Sequence, residues 1–254
     1  MRVEQINSLT PGGLAQLANL PALADDFITA VSRLSPAGHP DVLLTEASYD
    51  PVRYSDQLFA RYLLPFPTHL AKAVAKRRAE YLASRVCVRE TLSLFGFSDF
   101  LLTNDADRAP IWPPGVAGSL SHTRTRVSLM LTTASAGKQP GVDCEEIMLP
   151  AAAAEMQEMI INKREYAVLQ RSGLPFATAL TAAFSLKESL YKALFPLFRQ
   201  FMDFKEAEIV ACEAEMASVT LRLNRALSPD FAVGRLFSGH VTLHERTLTS
   251  WVMA

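Results

Sequence analysis

Cysteine is scarce in this chain: Cys87, Cys144 and Cys212 are the only three, they stand far apart, and they form no CxxC pair. An odd number at such spacing fits neither a disulfide framework nor a zinc ligand set, so a reducing compartment is expected and a zinc site is not. Long apolar runs are missing too. No stretch approaches the ~20 apolar residues that a membrane-spanning helix needs, and the opening "MRVEQINSLT" has no apolar signal core. No transmembrane segment and a cytoplasmic location are therefore expected. Nor is one sign of charge in excess. With 25 Lys and Arg against 26 Asp and Glu the formal net charge is −1, so no chain-wide basic field attracts a phosphate polymer, and nucleic acid is not an expected partner.

What is present is an ordinary apolar content. A chain that is 49% hydrophobic and 20% charged is neither disordered nor fibrous, and its 254 residues can build one large core or two small ones. Charge is gathered locally instead. The stretch "KAVAKRRAEYLASRVCVR" carries Lys72, Lys76, Arg77, Arg78, Arg85 and Arg89 against Glu80 alone. Such a run either binds a compact anion or forms a solvated helix face, and its composition leaves both open.

Proline and glycine punctuate residues 1 to 65 ("LTPGG", "LSPAGHP", "YDPVRY"), which predicts short strands and turns there. Apolar positions at Leu70, Val74, Tyr81, Leu82, Val86, Val88 and Leu92 predict one long helix from about Pro67 to Leu94. The proline-rich Asn104 to Gly118 reads as a loop, and the alternation of Val127, Leu129 and Leu131 with Ser128, Met130 and Thr132 predicts a strand from about Val127 to Thr132. The small, polar "ASAGKQPG" reads as a linker and divides the chain into subdomains 1–137 and 138–254. Downstream, helices are predicted around Ala151 to Gln170 and Phe176 to Phe198, with strands at Ser218 to Asn224, His240 to Glu245 and Thr247 to Met253. A long helix and several strands in each half give an α+β fold.

Three segments carry chemistry. "GVDCEEIM" crowds Asp143, Glu145 and Glu146 beside the core-like Val142 and Ile147. On a strand, Asp143 and Glu145 share one face roughly 6 to 7 Å apart at the backbone, close enough to converge on a cation, while Cys144 and Glu146 take the other. "FSLKESLYKALFP" places Glu188 and Lys192 four apart on one helix face. Ser185 to Glu188 fits a capping box and Glu188 with Lys192 an ordinary surface pair, but the apolar helix around them predicts burial, which is costly for unpartnered charges. "GSLSHT" puts Ser121 and His122 at a strand start, and alone a histidine there says little.

Taken together, "AVAKRRAEYLASR", "RAPIWPPGVAGSLSHT", "GVDCEEI" and "FSLKESLYKALFP" resemble, in order and approximate spacing, the 4'-phosphopantetheinyl transferases of the surfactin and enterobactin-synthase type, from about Pro67 to Phe204. The resemblance implies two similar subdomains about a pseudo-twofold axis, with the active site in the cleft between them. It implies a monomer that moves the phosphopantetheine arm of coenzyme A onto a serine of an apo acyl or peptidyl carrier protein, releasing 3',5'-ADP, with Mg2+ as cofactor. "FMDF" after the helix motif looks closer to the enterobactin type, so a siderophore or peptide-synthetase carrier is implied.

Residue by residue, the family's metal carboxylates correspond to Asp143, Glu145 and Glu188. Arg77 and Arg85 match positions that hold the nucleotide phosphates, and about 80° apart on a helix they can address one ligand. Ser121 and His122 match a phosphate-binding pair. Lys187 and Lys192 would neutralise the pyrophosphate. Asp143 also enters the coenzyme A site by this correspondence. Glu188 would take the proton of the attacking serine and Lys192 would serve the leaving group. Three positions depart from the pattern. Phe184 stands where relatives have tryptophan, Ser84 where they often have glycine before the arginine, and Arg108 is separated from Pro110 by Ala109, a near match to a basic residue close before that proline. A catalytically inactive coenzyme A or carrier-binding protein is the alternative, and it need not keep the acidic set. A magnesium phosphohydrolase on the same carboxylates leaves Arg77 and Arg85 unexplained.

Overall fold

A computed structural model describes residues 24–254; the expectation for residues 1–23 lies outside the described residues. The chain is a mixture of helix and antiparallel sheet in two compact units, the first ending at Lys138 and the second beginning at Gln139.

The first unit is a four-stranded sheet covered by one helix. Strands β1 (Ile28–Leu34), β2 (Val42–Tyr49), β5 (Val116–His122) and β6 (Arg126–Thr133) run antiparallel in the order β1-β2-β6-β5. In β6 the alternation places Val127, Leu129 and Leu131 inward, all fully buried, against Leu82, Val86 and Leu92 of helix α2 (Ala75–Leu94). A short helix α1 (Gln57–Arg61) precedes α2, and a small hairpin, β3 (Thr103–Asn104) with β4 (Pro110–Ile111), follows it.

Two expectations here are corrected. The helix predicted from Pro67 begins only at Ala75, after a 3-10 turn at Thr68–Leu70. Val74 is 70% exposed, so extending the helix backward buries nothing that would offset the ordering of the chain. The predicted loop to Gly118 holds the hairpin and the start of β5, so Ser121 and His122 stand at the end of a strand. Gly118 belongs inside that strand because a Cβ there would meet Leu131 Cδ2 at 2.5 Å and the Trp112 ring at 2.7 Å. The glycine marks close packing where the sequence suggested a loop.

The second unit is a five-stranded antiparallel sheet with a long helix across one face. Its strands are β7 (Pro140–Glu146), β8 (Ala207–Cys212), β9 (Ser218–Leu223), β10 (Leu236–Leu243) and β11 (Thr247–Met253), ordered β7-β11-β10-β9-β8. Helix α5 takes the predicted bounds, Phe176–Phe198. The helix expected over Ala151 to Gln170 is two, α3 (Pro150–Ile160) and α4 (Lys163–Leu169). Asn162 and Glu165 form a capping box that starts a second helix, a signal present in "NKRE". Strand β8 was not expected, because Glu208 interrupts its short apolar pattern. Ser185 lies in the interior of α5, which removes the capping-box reading of Ser185 to Glu188.

The separation of α5 from β7 is set by one residue. A Cβ on Gly141 would lie 1.9 Å from the Ser189 carbonyl oxygen and 2.8 Å from the Ala193 nitrogen, both backbone atoms that cannot turn aside. This close approach brings the acidic end of β7 beneath Ser185, Glu188 and Lys192. Gly141→Ala is expected to lower the unfolding free energy by at least ~1–3 kcal/mol, the usual range for overpacking, and urea denaturation measures it.

Candidate functional site

The first unit contains an open pocket of about 540 Å³, within the range of small-molecule sites. Helix α2 contributes Arg77, Tyr81 and Arg85 to its wall, β5 contributes Leu120 and His122, and the β3–β4 hairpin contributes Arg108. Three residues implied to hold phosphate, Arg77, Arg85 and His122, thus line one pocket together with the near-match Arg108. Arg77 Nη1 lies 3.4 Å from His122 Nε2, and since a guanidinium only donates, that ring nitrogen is the acceptor. Ser121 is corrected as a side-chain contact. It is buried between Leu120 and His122, and strand alternation turns it to the opposite face from these pocket-lining neighbours.

Arg85 is the most constrained member. It is 9% exposed, its guanidinium lies 4.4 Å from the centroid of the Tyr81 ring, and its Nε has no hydrogen-bond partner. Burial pushes its pKa down, Tyr81 opposes this, and Arg77 adds to it. A buried cation with an unsatisfied donor beside a second arginine is costly unless an anion completes it. Ser84 intrudes little, because its hydroxyl is directed to the Glu80 and Tyr81 carbonyls of its own helix. Arg108 sits at φ 66° in a hairpin turn closed by Asp105, whose Oδ1 accepts from the Asp107 and Ala109 amides.

The second unit gathers the acidic residues where β7 meets α5. Asp143 is 2% exposed; its Oδ1 lies 2.6 Å from Lys192 Nζ and its Oδ2 accepts from Ser185 Oγ at 2.8 Å. Glu145 and Glu188 are half-buried, Cys144 is buried and Glu146 is exposed. Burial, and then the neighbouring Asp143 carboxylate, push Glu145 up to about 7, with Lys192 opposing. Burial raises Glu188 as well, opposed by Lys192 and reinforced by Asp143. For Lys192, burial works against the charged form, but Asp143 outweighs it and the pKa is raised. At neutral pH the lysine is therefore an ammonium.

Among the described residues, no three His, Cys, Asp or Glu side chains are gathered tightly enough to cage an ion alone. The donors nevertheless fit a hard divalent cation chemically. They are all oxygen, burial and the neighbouring Asp143 raise the pKa of Glu145 and Glu188, and Asp143 already accepts one cation, the Lys192 ammonium. Magnesium keeps several waters and takes one or two carboxylates together with substrate phosphate, which such a partial set suits.

Lys187 departs from expectation. Its side chain is 1% exposed, and its Nζ lies 2.6 Å from Glu165 Oε1 while donating to the carbonyls of Ile160 and Phe204 at 2.8 and 2.9 Å. An ammonium has three protons, and this one has three acceptors. Burial pushes its pKa down and Glu165 opposes this. Lys187 thus ties α3, α4 and α5 together instead of facing a phosphate. Glu165, fully buried, also accepts from the amides of Ile209 and Asn162. Sequence reasoning missed Glu165, although the Asn-x-x-Glu spacing marks it. It also missed Ser185, Ser189 and Ser250 as polar groups facing Asp143's strand, for which no sequence signal existed.

Lys187→Met should cost about 3–5 kcal/mol in urea denaturation, because it leaves Glu165 buried and uncompensated, and adding Glu165→Gln should recover part of that. A second expectation concerns pH. The folded pKa of Glu145 is raised, so its contribution to stability is fully present below 4.5 and is lost as pH rises to about 7. Glu145→Gln should therefore raise the Tm by a few degrees at pH 8 without divalent cations and leave it nearly unchanged at pH 4. Thermal denaturation at both values checks this.

The profile of the 4'-phosphopantetheinyl transferase N-terminal domain matches residues 66–131, and that of the 4'-phosphopantetheinyl transferase superfamily matches residues 139–242. Enterobactin synthase component D of Salmonella typhi is 40% identical over 130 residues, 51% of this chain and 53% of the relative, so the match spans about half the length of that protein. The Escherichia coli (strain K12) enterobactin synthase component D is 36% identical over 166 residues, 65% of this chain and 75% of the relative. The 4'-phosphopantetheinyl transferase Svp of Streptomyces mobaraensis is 32% identical over 183 residues, 70% of each chain. The chain belongs to the 4'-phosphopantetheinyl transferase superfamily.

Proposed function

We propose that the protein transfers the 4'-phosphopantetheine arm of coenzyme A to a serine of an apo acyl or peptidyl carrier protein, releasing 3',5'-ADP, in siderophore or nonribosomal peptide synthesis. The observation that carries the reading is the incompletely satisfied Arg85 sharing one pocket with Arg77, Arg108 and His122. Planar guanidinium forks suit the phosphates of the nucleotide end. The family's relatives support the acceptor class, since several are named as components of enterobactin synthase.

The acidic set of the second unit would act on the pyrophosphate. A half-buried Glu188 with a raised pKa is a stronger base than an exposed carboxylate, suited to accept the serine proton as the serine oxygen bonds to the β-phosphorus. The bond from that phosphorus to the bridging oxygen breaks, and 3',5'-ADP leaves with the electron pair. Lys192, held as an ammonium beside Asp143, would neutralise the leaving phosphate. Mg2+, held by Asp143, Glu145 and Glu188, would supply charge neutralisation of the pyrophosphate when bound. On this reading the protein is a monomer working in the cytoplasm.

Intact-mass spectrometry of an apo peptidyl carrier protein incubated with the protein, coenzyme A and Mg2+ tests this. One added phosphopantetheine is expected, with the rate reduced by about 10²–10⁴-fold in Glu188→Gln. Arg85→Ala should raise KM for coenzyme A by roughly 10- to 100-fold with kcat little changed. Coenzyme A binding without transfer to several carrier types would instead favour an inactive binding protein.

A further inference from the structure

Three serine hydroxyls lie in line beside Asp143. Ser185 and Ser189 stand four apart on α5, and Ser250 faces them from β11, all fully buried. Ser185 Oγ is 2.8 Å from Asp143 Oδ2 and 2.8 Å from Ser250 Oγ; Ser250 Oγ is 2.8 Å from Ser189 Oγ; and Ser189 Oγ also reaches the Ser250 carbonyl at 3.0 Å. Serine in a helix ordinarily returns its hydroxyl to its own backbone, and here both turn to the sheet instead.

Proton counting fixes the direction of this chain. An ionised carboxylate only accepts, so Ser185 gives its single proton to Asp143. The contact between Ser185 and Ser250 is then made with the proton of Ser250, and Ser189 shares its single proton between the Oγ and the carbonyl oxygen of Ser250. Ser185 and Ser250 thus donate toward Asp143, and aligned donors polarise one another. The relay occupies Oδ2, while Oδ1 is the oxygen against Lys192.

We propose that Ser250 is a positioning residue: through Ser185 it fixes the carboxylate plane of Asp143 and so sets how this strand presents Oδ1 to a cation. The inference rests on the reading of Asp143 as a metal ligand. Ser250 lies beyond residues 139–242, the span matched to the superfamily, and on a strand that carries none of the acidic residues. Its removal is structurally mild. In Ser250→Ala, Ser189 still donates to the carbonyl of residue 250 and Ser185 still donates to Asp143, so no buried proton loses its acceptor.

Mn2+ titration followed by the electron paramagnetic resonance signal of the free ion, with Tm measured alongside, tests this on the full chain. Partners of metal ligands typically alter affinity by about 10- to 100-fold, and one step further out Ser250→Ala should weaken Mn2+ binding by roughly 3- to 10-fold with an unchanged Tm. Ser189→Ala, which removes only the head of the relay, should weaken it less, and it decides the question if Ser250→Ala fails to fold. Mn2+ affinity equal to the unmodified chain in both variants, with Asp143→Asn abolishing binding, overturns the relay alone. Binding as tight in Asp143→Asn as in the unmodified chain overturns the metal reading and the relay with it.

Discussion

Asp143 is a carboxylate held at 2% exposure between an ammonium on one oxygen and a hydroxyl on the other. A bare charge at that depth would be prohibitive, so everything around it is arranged to make it tolerable. Gly141 lets α5 settle against β7, which brings Ser185 and Lys192 within reach. The helix and the strand are therefore fastened by the same groups that make the site acidic. The burial that raises Glu145 and Glu188, reinforced by the Asp143 carboxylate, is the cost of gathering these groups.

The two lysines of α5 differ in how far their protons are committed. Lys187 has every proton committed to Glu165 and to two carbonyls, which pins three helices. Lys192, with its side chain 27% exposed, retains access to solvent while its charge is stabilised by Asp143. Their spacing of five residues turns them to different sides of the helix, one to the interior of the unit and the other to the acidic strand. The first unit follows a similar division. Arg78 is tied to Asp56 and the Ala73 carbonyl, whereas Arg77 and Arg85 face the pocket.

Elements with strong periodicity were legible from residues alone: β6 from its alternating Val127, Leu129 and Leu131, and α5 to both of its bounds. Legibility failed where a residue's local meaning differs from its tertiary one. Gly118 looked like a loop residue and Gly239 hid the start of β10, yet both are strand positions whose missing Cβ admits a neighbouring side chain. Asp143 and Glu145 lie two apart on β7, and Arg77, Arg85, Arg108 and His122 line one pocket. Lys187 was misassigned because a sequence shows that a lysine falls within an apolar helix but not which acceptor awaits it. Its partner Glu165 lies 22 positions earlier in the chain, beyond any local pattern. The serines were invisible for the same reason, since their roles exist only once β11 is laid beside β7.

We propose that a cation meets this chain at Asp143. Crystals grown with coenzyme A and Mn2+, measured at the manganese edge, test it most directly. The account predicts one anomalous peak within coordination distance of Asp143 Oδ1, with Glu145 or Glu188 as a further ligand and the Lys192 ammonium displaced from that oxygen. A peak held by other residues, with the Asp143–Lys192 pair intact, would contradict it.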